Sequence, residues 1–201
     1  MRDNENVKEQ WMPCPLEERE YPGLTYIYAL DKIIITNKLD TLHEVIGLNG
    51  NCYTIYNNQN QKIFLAVQET PERKYIIKIF NKYGNEVIQV KKHGGFCVNR
   101  VLVFAPPGNF VGSVEKLLTC LNAFRVKNHT GEVFLQVKPR HRCCSKFDIL
   151  SNNSTIGLMT KNEDCTKSEN QSISATFPVE MEIGHKAVLI GACFLIGFSS
   201  N

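Results

Sequence analysis

The chain has 201 residues, of which 43% are hydrophobic and 21% are charged, and its formal net charge is +3. This length and composition indicate one folded domain with a substantial core, and they argue against a disordered, collagen-like or polytopic membrane protein. The small excess of basic residues does not predict a nucleic-acid partner.

Residues 1–12 are expected to form a short polar leader, and residues 13–201 the folded domain. The leader lacks the apolar stretch of a secretory signal, so we expect synthesis in the cytosol. The eight cysteines are dispersed along the chain. Dispersed cysteines in a chain of this length predict reduced thiols rather than a disulfide framework.

Short apolar runs with period-two alternation fill most of the domain, and Asn, Gly or Pro separates them. This pattern predicts an all-β domain of roughly ten or more strands. The clearest runs are 33–35, 53–56, 63–67, 76–80, 87–90, 101–104, 111–114, 133–137 and 147–150.

A weak internal repeat marks the turns between some of these strands. The segment 80–88 is echoed by 126–134, and a looser third copy lies within 55–64. We expect tight hairpins in which a residue adopts a positive φ, and the expected residues are Gly84, Gly131 and Asn60. Repeated hairpins favour a closed barrel or a sandwich, because an open sheet would leave long edges exposed.

The segment 187–198 breaks the β pattern because it is apolar on every face. As a helix it would reach about 18 Å, whereas a bilayer core is roughly 30 Å thick. Two alternatives remain open: a central core element, or a segment that docks on or enters the membrane beside a cationic edge at 184–186. The residues that define this membrane or core helix are Ala187, Leu189, Ile190, Phe194, Leu195, Ile196 and Phe198.

The stretches 177–182 and 186–196 resemble the C-terminal signature of the phospholipid scramblase family. Further matches lie at Pro22-Gly23-Leu24, at 53–57, at Asn85-Glu86-Val87-Ile88 and at Ala105-Pro106-Pro107-Gly108. The resemblance implies a tubby-like fold: an all-β, closed antiparallel barrel of about twelve strands around one buried, hydrophobic C-terminal helix.

The same resemblance implies calcium-dependent, ATP-independent, bidirectional movement of phospholipids across the plasma membrane. No bond is made or broken in such transport, so no enzyme reaction is expected, and no common hydrolase or nucleotide-binding motif occurs. The implied partners are membrane phospholipids with anionic head groups and a second copy of the chain, with no nucleic acid. The implied location is the cytoplasmic face of the plasma membrane, with a cytosolic pool.

The resemblance also places the family's calcium segment at Glu169–Glu180. Its side-chain oxygen donors here are Glu169, Gln171 and Glu180, while Ile173 and Phe177 bring none. Two carboxylates predict weak Ca²⁺ binding. The alternative is an ordinary hydrated loop that leads into a strand.

The family's acylated cysteine cluster is reduced here to Cys97. The pair Cys143 and Cys144 follows a basic stretch and offers a second lipidation site, or a patch that faces anionic lipid. A solvated basic loop is the alternative for this stretch.

These departures leave a second function open. The chain is expected either to move phospholipids with a weakened calcium response or to act as a tubby-like module that binds lipid or protein without moving lipid.

Overall fold

Twelve strands and two helices have both of their bounds within the part of the chain that the structure describes. This structure is a computed structural model, and it describes residues 10–13, 23–40, 43–44, 50–69, 75–93, 99–118, 122–140, 145–162 and 171–198. In chain order the elements are α1 (Thr25–Tyr28), β1 (Lys32–Thr36), β2 (Asn51–Tyr56), β3 (Lys62–Gln68), β4 (Ile76–Phe80), β5 (Glu86–His93), β6 (Arg100–Phe104), β7 (Phe110–Lys116), β8 (Phe124–Asn128), β9 (Val133–Pro139), β10 (Lys146–Ser151), β11 (Ser154–Asn162), β12 (Ser172–Thr176) and α2 (Ile183–Gly197).

The strands form one closed antiparallel barrel, which confirms the predicted fold. Each strand pairs with the next one in sequence, and β1 pairs with β12 to close the ring. At this closure Lys32 lies opposite Thr176. Strands β8, β11 and β12 were not among the predicted runs, because Ser, Thr, Lys or Arg occupies many of their positions and weakens the apolar alternation.

Tight turns gather at one end of the barrel, which we call the hairpin end. In the turns that begin at Asn57, Asn81 and Asn128, the Asn Oδ1 accepts hydrogen bonds of 2.8–3.1 Å from the backbone N–H groups two and four residues later. The fourth residue of each turn has a positive φ: Asn60 (58°), Gly84 (79°) and Gly131 (89°). The predicted hairpins are therefore confirmed.

Helix α2 enters the barrel at the hairpin end and runs through its interior. Its apolar side chains belong to the same buried cluster as the inward-facing residues of the strands. The exposed fractions of the predicted helix residues are 0% for Ala187, Leu189 and Phe194, 1% for Ile190, 2% for Leu195 and 7% for Ile196, and Phe198 is half-buried. The prediction of a buried core helix is confirmed.

The helix differs from its prediction in where it begins. It runs from Ile183 to Gly197 rather than over 187–198. The polar side chains of His185 and Lys186 hid its first turn in the sequence pattern, although Lys186 is buried. Among the described residues, no helix combines the length and the apolarity that crossing a bilayer requires.

The last residues of the predicted leader lie against the barrel. Trp11 forms an isolated parallel bridge to Lys62, and the Met12 N–H donates to the Lys62 carbonyl oxygen at 2.8 Å. The chain therefore contacts β3 before residue 13.

Candidate functional site

The segment that leads into α2 holds two of the three predicted calcium ligands. Its residues 172–176 form strand β12, which pairs with β1 and β11. Gln171 precedes this strand and its carbonyl oxygen accepts a hydrogen bond from Asn37, whereas Glu180 follows it in the turn at the hairpin end. A strand of five residues is about 16 Å long, so Gln171 and Glu180 lie near opposite ends of the barrel.

This geometry does not fit loop-type calcium coordination, in which ligands from one short loop converge on the ion. The side chains of Ile173 and Ala175 point into the core and are fully buried. Within the described ranges, no group of three or more His, Cys, Asp or Glu side chains is placed to hold a metal ion. Glu169 lies outside the described residues, and Ca²⁺ binding by this segment stays a prediction.

A buried lysine ties the start of α2 to the rest of the hairpin end. The Lys186 side chain is 1% exposed. Its Nζ donates to four backbone carbonyl oxygens: Tyr28 and Val179 at 2.6 Å, Leu30 at 2.9 Å and Ile27 at 3.2 Å. The ammonium therefore joins α1, the residues after it and the turn before α2 at one point.

The environment of Lys186 explains how a charge is tolerated in the core. Burial lowers its pKa from 10.5 to about 8, while the nearby carboxylates of Glu180 and Asp31 act in the opposite direction. The Phe177 ring lies beneath the ammonium, with its centroid 5.6 Å from Nζ. Lys186 is thus held by carbonyl dipoles, and its burial contradicts the alternative in which it formed part of a cationic edge facing the membrane.

The neighbouring His185 attaches the first turn of α2 to the barrel wall. Its ring stacks on Phe134 of β9 with centroids 3.8 Å apart, and its Nε2 lies 3.6 Å from Glu182 Oε2. Burial lowers the pKa of His185, an effect that Glu182 opposes. Stacking and the lysine contacts together fix the helix where it enters the barrel.

The cysteines divide between the core and the undescribed segments. Cys52 and Cys193 are free and buried, and burial raises the pKa of the Cys193 thiol to about 12. A thiol with so high a pKa is a poor nucleophile at neutral pH. The predicted lipidation sites Cys97, Cys143 and Cys144 lie outside the described residues.

The opposite end of the barrel, which we call the cationic end, is rich in basic side chains. Strands β5, β7, β9 and β11 finish there, as does α2. Its described basic residues are Lys91, Lys92, Arg100, Lys116, Arg125, Lys138, Arg140, Lys146 and Lys161. The hairpin end instead carries five acids, Asp31, Glu86, Glu132, Glu180 and Glu182, and five lysines, Lys32, Lys62, Lys82, Lys127 and the buried Lys186. Among the described residues, basic side chains therefore outnumber acids at the cationic end, whereas acids and lysines balance at the hairpin end.

Most of this cationic end was missed from the sequence, although a signal for it exists. Val90 and Val114 face the interior, and a basic residue follows each of them two positions later, at Lys92 and Lys116. Because side chains two apart in a strand share a face, these lysines continue the inward-facing rows at the rim of the barrel. A row of inward-facing apolar residues that ends in a lysine was therefore the sequence signal for a basic rim.

Comparisons with known proteins agree on one family. The family model described as Scramblase matches residues 12–200. Phospholipid scramblase 2 of Bos taurus is 30% identical over 94% of this chain and 74% of its own length. Phospholipid scramblase 1 of Homo sapiens is 29% identical over 94% of this chain and 69% of its own length.

A solved structure supports the same fold independently of sequence identity. The X-ray structure of an Arabidopsis thaliana protein superposes with a TM-score of 0.53, covering 83% of this chain and 93% of that one at 10% identity. At this identity the similarity concerns the barrel and its internal helix alone. The family match covers nearly the whole chain, including every strand of the barrel and the internal helix. The chain therefore belongs to the phospholipid scramblase family.

Proposed function

We propose that this protein promotes ATP-independent, bidirectional movement of phospholipids between the leaflets of the plasma membrane, acting from the cytoplasmic face. The observation that carries the proposal is that the family match spans the whole described barrel together with its internal helix. The protein would contact anionic head groups, and association with a second copy remains part of the proposal.

The buried helix limits how such movement takes place. Helix α2 has 15 residues, which is about 22 Å of helix against a hydrocarbon core of roughly 30 Å. Its apolar surface is already covered by the barrel. We therefore propose that the folded barrel acts from the membrane surface and that the helix stays inside it.

Lipid exchange needs only a lower barrier for the polar head group. A head group that crosses hydrocarbon loses its hydrogen bonds to water, and this desolvation dominates the barrier. A protein surface lowers the barrier by offering polar partners or by locally thinning the bilayer. Net flux then follows the existing lipid gradient, and no bond chemistry is involved.

The proposed calcium response is weak. Of the predicted ligands, Gln171 is neutral, and a paired strand separates it from Glu180. The proposal therefore routes no step of lipid movement through a bound ion. Acylation at Cys97, Cys143 or Cys144 would add membrane affinity by burying a chain in the bilayer.

A second candidate function is a lipid- or protein-binding module that moves no lipid. The observation that favours it is the anchoring of α2 by Lys186, whose three N–H groups are shared among four backbone carbonyl oxygens. A helix held in this way is built to stay in the core, so the barrel would serve only as a rigid platform.

Reconstitution separates the two functions. Liposomes that carry fluorescent lipid in both leaflets lose about half of their signal to external dithionite when lipids do not cross, and nearly all of it when they do. We expect near-complete quenching with the protein, with little difference between calcium and chelator. Quenching that stops at half, with protein still sedimenting with the liposomes, would instead assign the binding module.

A further inference from the structure

We propose that the cationic end is the surface through which this protein meets a bilayer that contains anionic phospholipid. The inference rests on the proposed function, because it takes a phospholipid bilayer as the partner. It adds which side of the barrel faces the lipid and which residues make the contact.

Carboxylates on the strands near the cationic end are already engaged. Three ion pairs account for them: Lys78–Glu69 at 2.7 Å, Lys127–Glu115 at 2.8 Å and Arg140–Asp148 at 2.8 Å. In each pair the carboxylate lies near the cationic end, and for the first two the base comes from further along the barrel. The remaining basic side chains at this end therefore keep their charge uncompensated by these acids.

Several basic residues at the cationic end form no ion pair within the described part of the chain. Among them are Lys92, Arg100, Lys116, Lys138 and Lys146. They lie on β5, β6, β7, β9 and β10, and so spread over one side of the rim.

Lys92 and Lys116 concentrate this charge at the mouth of the barrel. Lys92 lies over the Tyr75 ring at 5.2 Å. Its pKa is lowered first by burial and then by the positive charge of Lys116, so the two ammonium groups are close enough to repel each other. Repulsion between partly desolvated like charges is relieved when an anion binds between them. A phosphate of a lipid head group has the charge to do so.

An exposed leucine at the same end points to a bilayer rather than to a soluble polyanion. Leu118, two residues after Lys116, is 87% exposed. Apolar side chains next to lysines suit a membrane interface, where the ammonium meets head groups and the leucine enters the acyl boundary. A nucleic-acid backbone offers no such apolar layer.

The hairpin end is the competing surface, and its charge argues against it. Tyr83 is 64% exposed and Val179 is 51% exposed there, so apolar contact alone does not distinguish the two ends. The acids Glu132, Glu180 and Glu182 would face anionic lipid and be repelled. The sign of the charge therefore selects the cationic end.

Sedimentation with vesicles tests this assignment. The full chain, the variant Lys116→Gln/Lys138→Gln/Lys146→Gln and the matched control Lys32→Gln/Lys82→Gln are mixed with phosphatidylcholine vesicles with and without phosphatidylserine. Each lysine near an anionic surface is worth about fivefold in binding, so the triple variant should bind on the order of a hundredfold more weakly to phosphatidylserine vesicles. The control removes two positive charges rather than three and should bind like the full chain, whereas an effect of net charge alone would weaken its binding about 25-fold. Added salt should weaken wild-type binding.

A single substitution at each end provides the second test, with unchanged thermal melts as the folding control. Leu118→Gln should weaken binding to phosphatidylserine vesicles several-fold, and Tyr83→Gln at the hairpin end should leave it unchanged. The reverse result, or equal binding by the triple variant and its control, overturns the assignment. Binding to a short DNA duplex that is as tight as binding to vesicles, and insensitive to Leu118→Gln, would assign the surface to nucleic acid and also overturn it.

These experiments distinguish a failure of the proposed function from a failure of the proposed contact surface. If the full chain binds through the cationic end but dithionite quenching stops at half, the surface is right and lipid movement is wrong. If lipid moves while both sets of lysine variants bind equally, the function stands and the cationic end is not the contact surface.

Discussion

The two ends of the barrel use their polar groups in opposite ways. At the hairpin end, asparagine side chains bind the backbone of their own turns, and Lys186 binds four carbonyl oxygens. At the cationic end, Lys92 and Lys116 lie near each other with no carboxylate paired to them among the described residues. Polar groups satisfied internally stabilise a fold, whereas unpaired charges at a rim remain available to a partner. The polar groups of the hairpin end therefore stabilise the fold, whereas those of the cationic end are available for the proposed contact with a partner.

The largest expected effect comes from removing the buried ammonium. Lys186→Met keeps most of the side-chain volume but leaves buried carbonyl oxygens without their donor, which we expect to cost about 3 kcal/mol in the free energy of unfolding. Urea denaturation measures it. The matched control is Lys116→Met at the cationic end, where we expect a change within about 0.5 kcal/mol. Equal losses in the two variants would remove the contrast between the ends.

The protonation of Lys186 gives a smaller effect with a defined sign. Burial lowers its folded pKa from 10.5 to about 8. Between these pH values the unfolded chain therefore binds more protons at this site than the folded chain, and this site makes the protein more stable as the pH rises. The guanidinium of Lys186→Arg stays protonated over this range.

We accordingly expect the free energy of unfolding of the wild type to increase relative to that of Lys186→Arg as the pH rises from 8 to 10.5. The difference between the two proteins isolates Lys186, because the other titrating groups are shared. A difference that stays flat over this range would mean that the carbonyl oxygens hold the ammonium strongly enough to cancel the effect of burial.

The fit of α2 between the two ends depends on Gly191. A Cβ at Gly191 would lie 2.5 Å from Val103 Cγ2, whereas one at Gly184 would meet only Glu182 Oε1, at 3.5 Å. Gly191→Ala should therefore cost about 1–3 kcal/mol by overpacking. Gly184→Ala should be neutral or stabilise by up to about 1 kcal/mol through helix propensity. Thermal melts of both variants check the prediction, and equal shifts would place the helix differently in the barrel.

The sequence predicted those features that depend on neighbours along the chain. The hairpins followed from Asn and Gly at fixed spacing, and the barrel from strand alternation, because both signals lie within a few residues. The burial of Lys186 was not predictable in this way, because three of its acceptors lie 156 to 159 positions earlier in the chain. The cationic end was missed for the same reason: strand pairing assembles it from residues that the sequence scatters.

The smallest expected effect is a difference in stability cost between the same substitution in two copies of the hairpin turn. Asn81 and Asn128 each accept two backbone hydrogen bonds with Oδ1, but Asn81 is 7% exposed while the contacts of Asn128 are exposed to solvent. Water replaces the lost acceptor at an exposed turn and cannot do so at a buried one. Asn81→Ala should therefore cost about 1–2 kcal/mol and Asn128→Ala about 0.5 kcal/mol in urea denaturation. Equal costs would show that these bonds act by fixing the turn geometry, which the two copies share, and not by satisfying buried backbone groups.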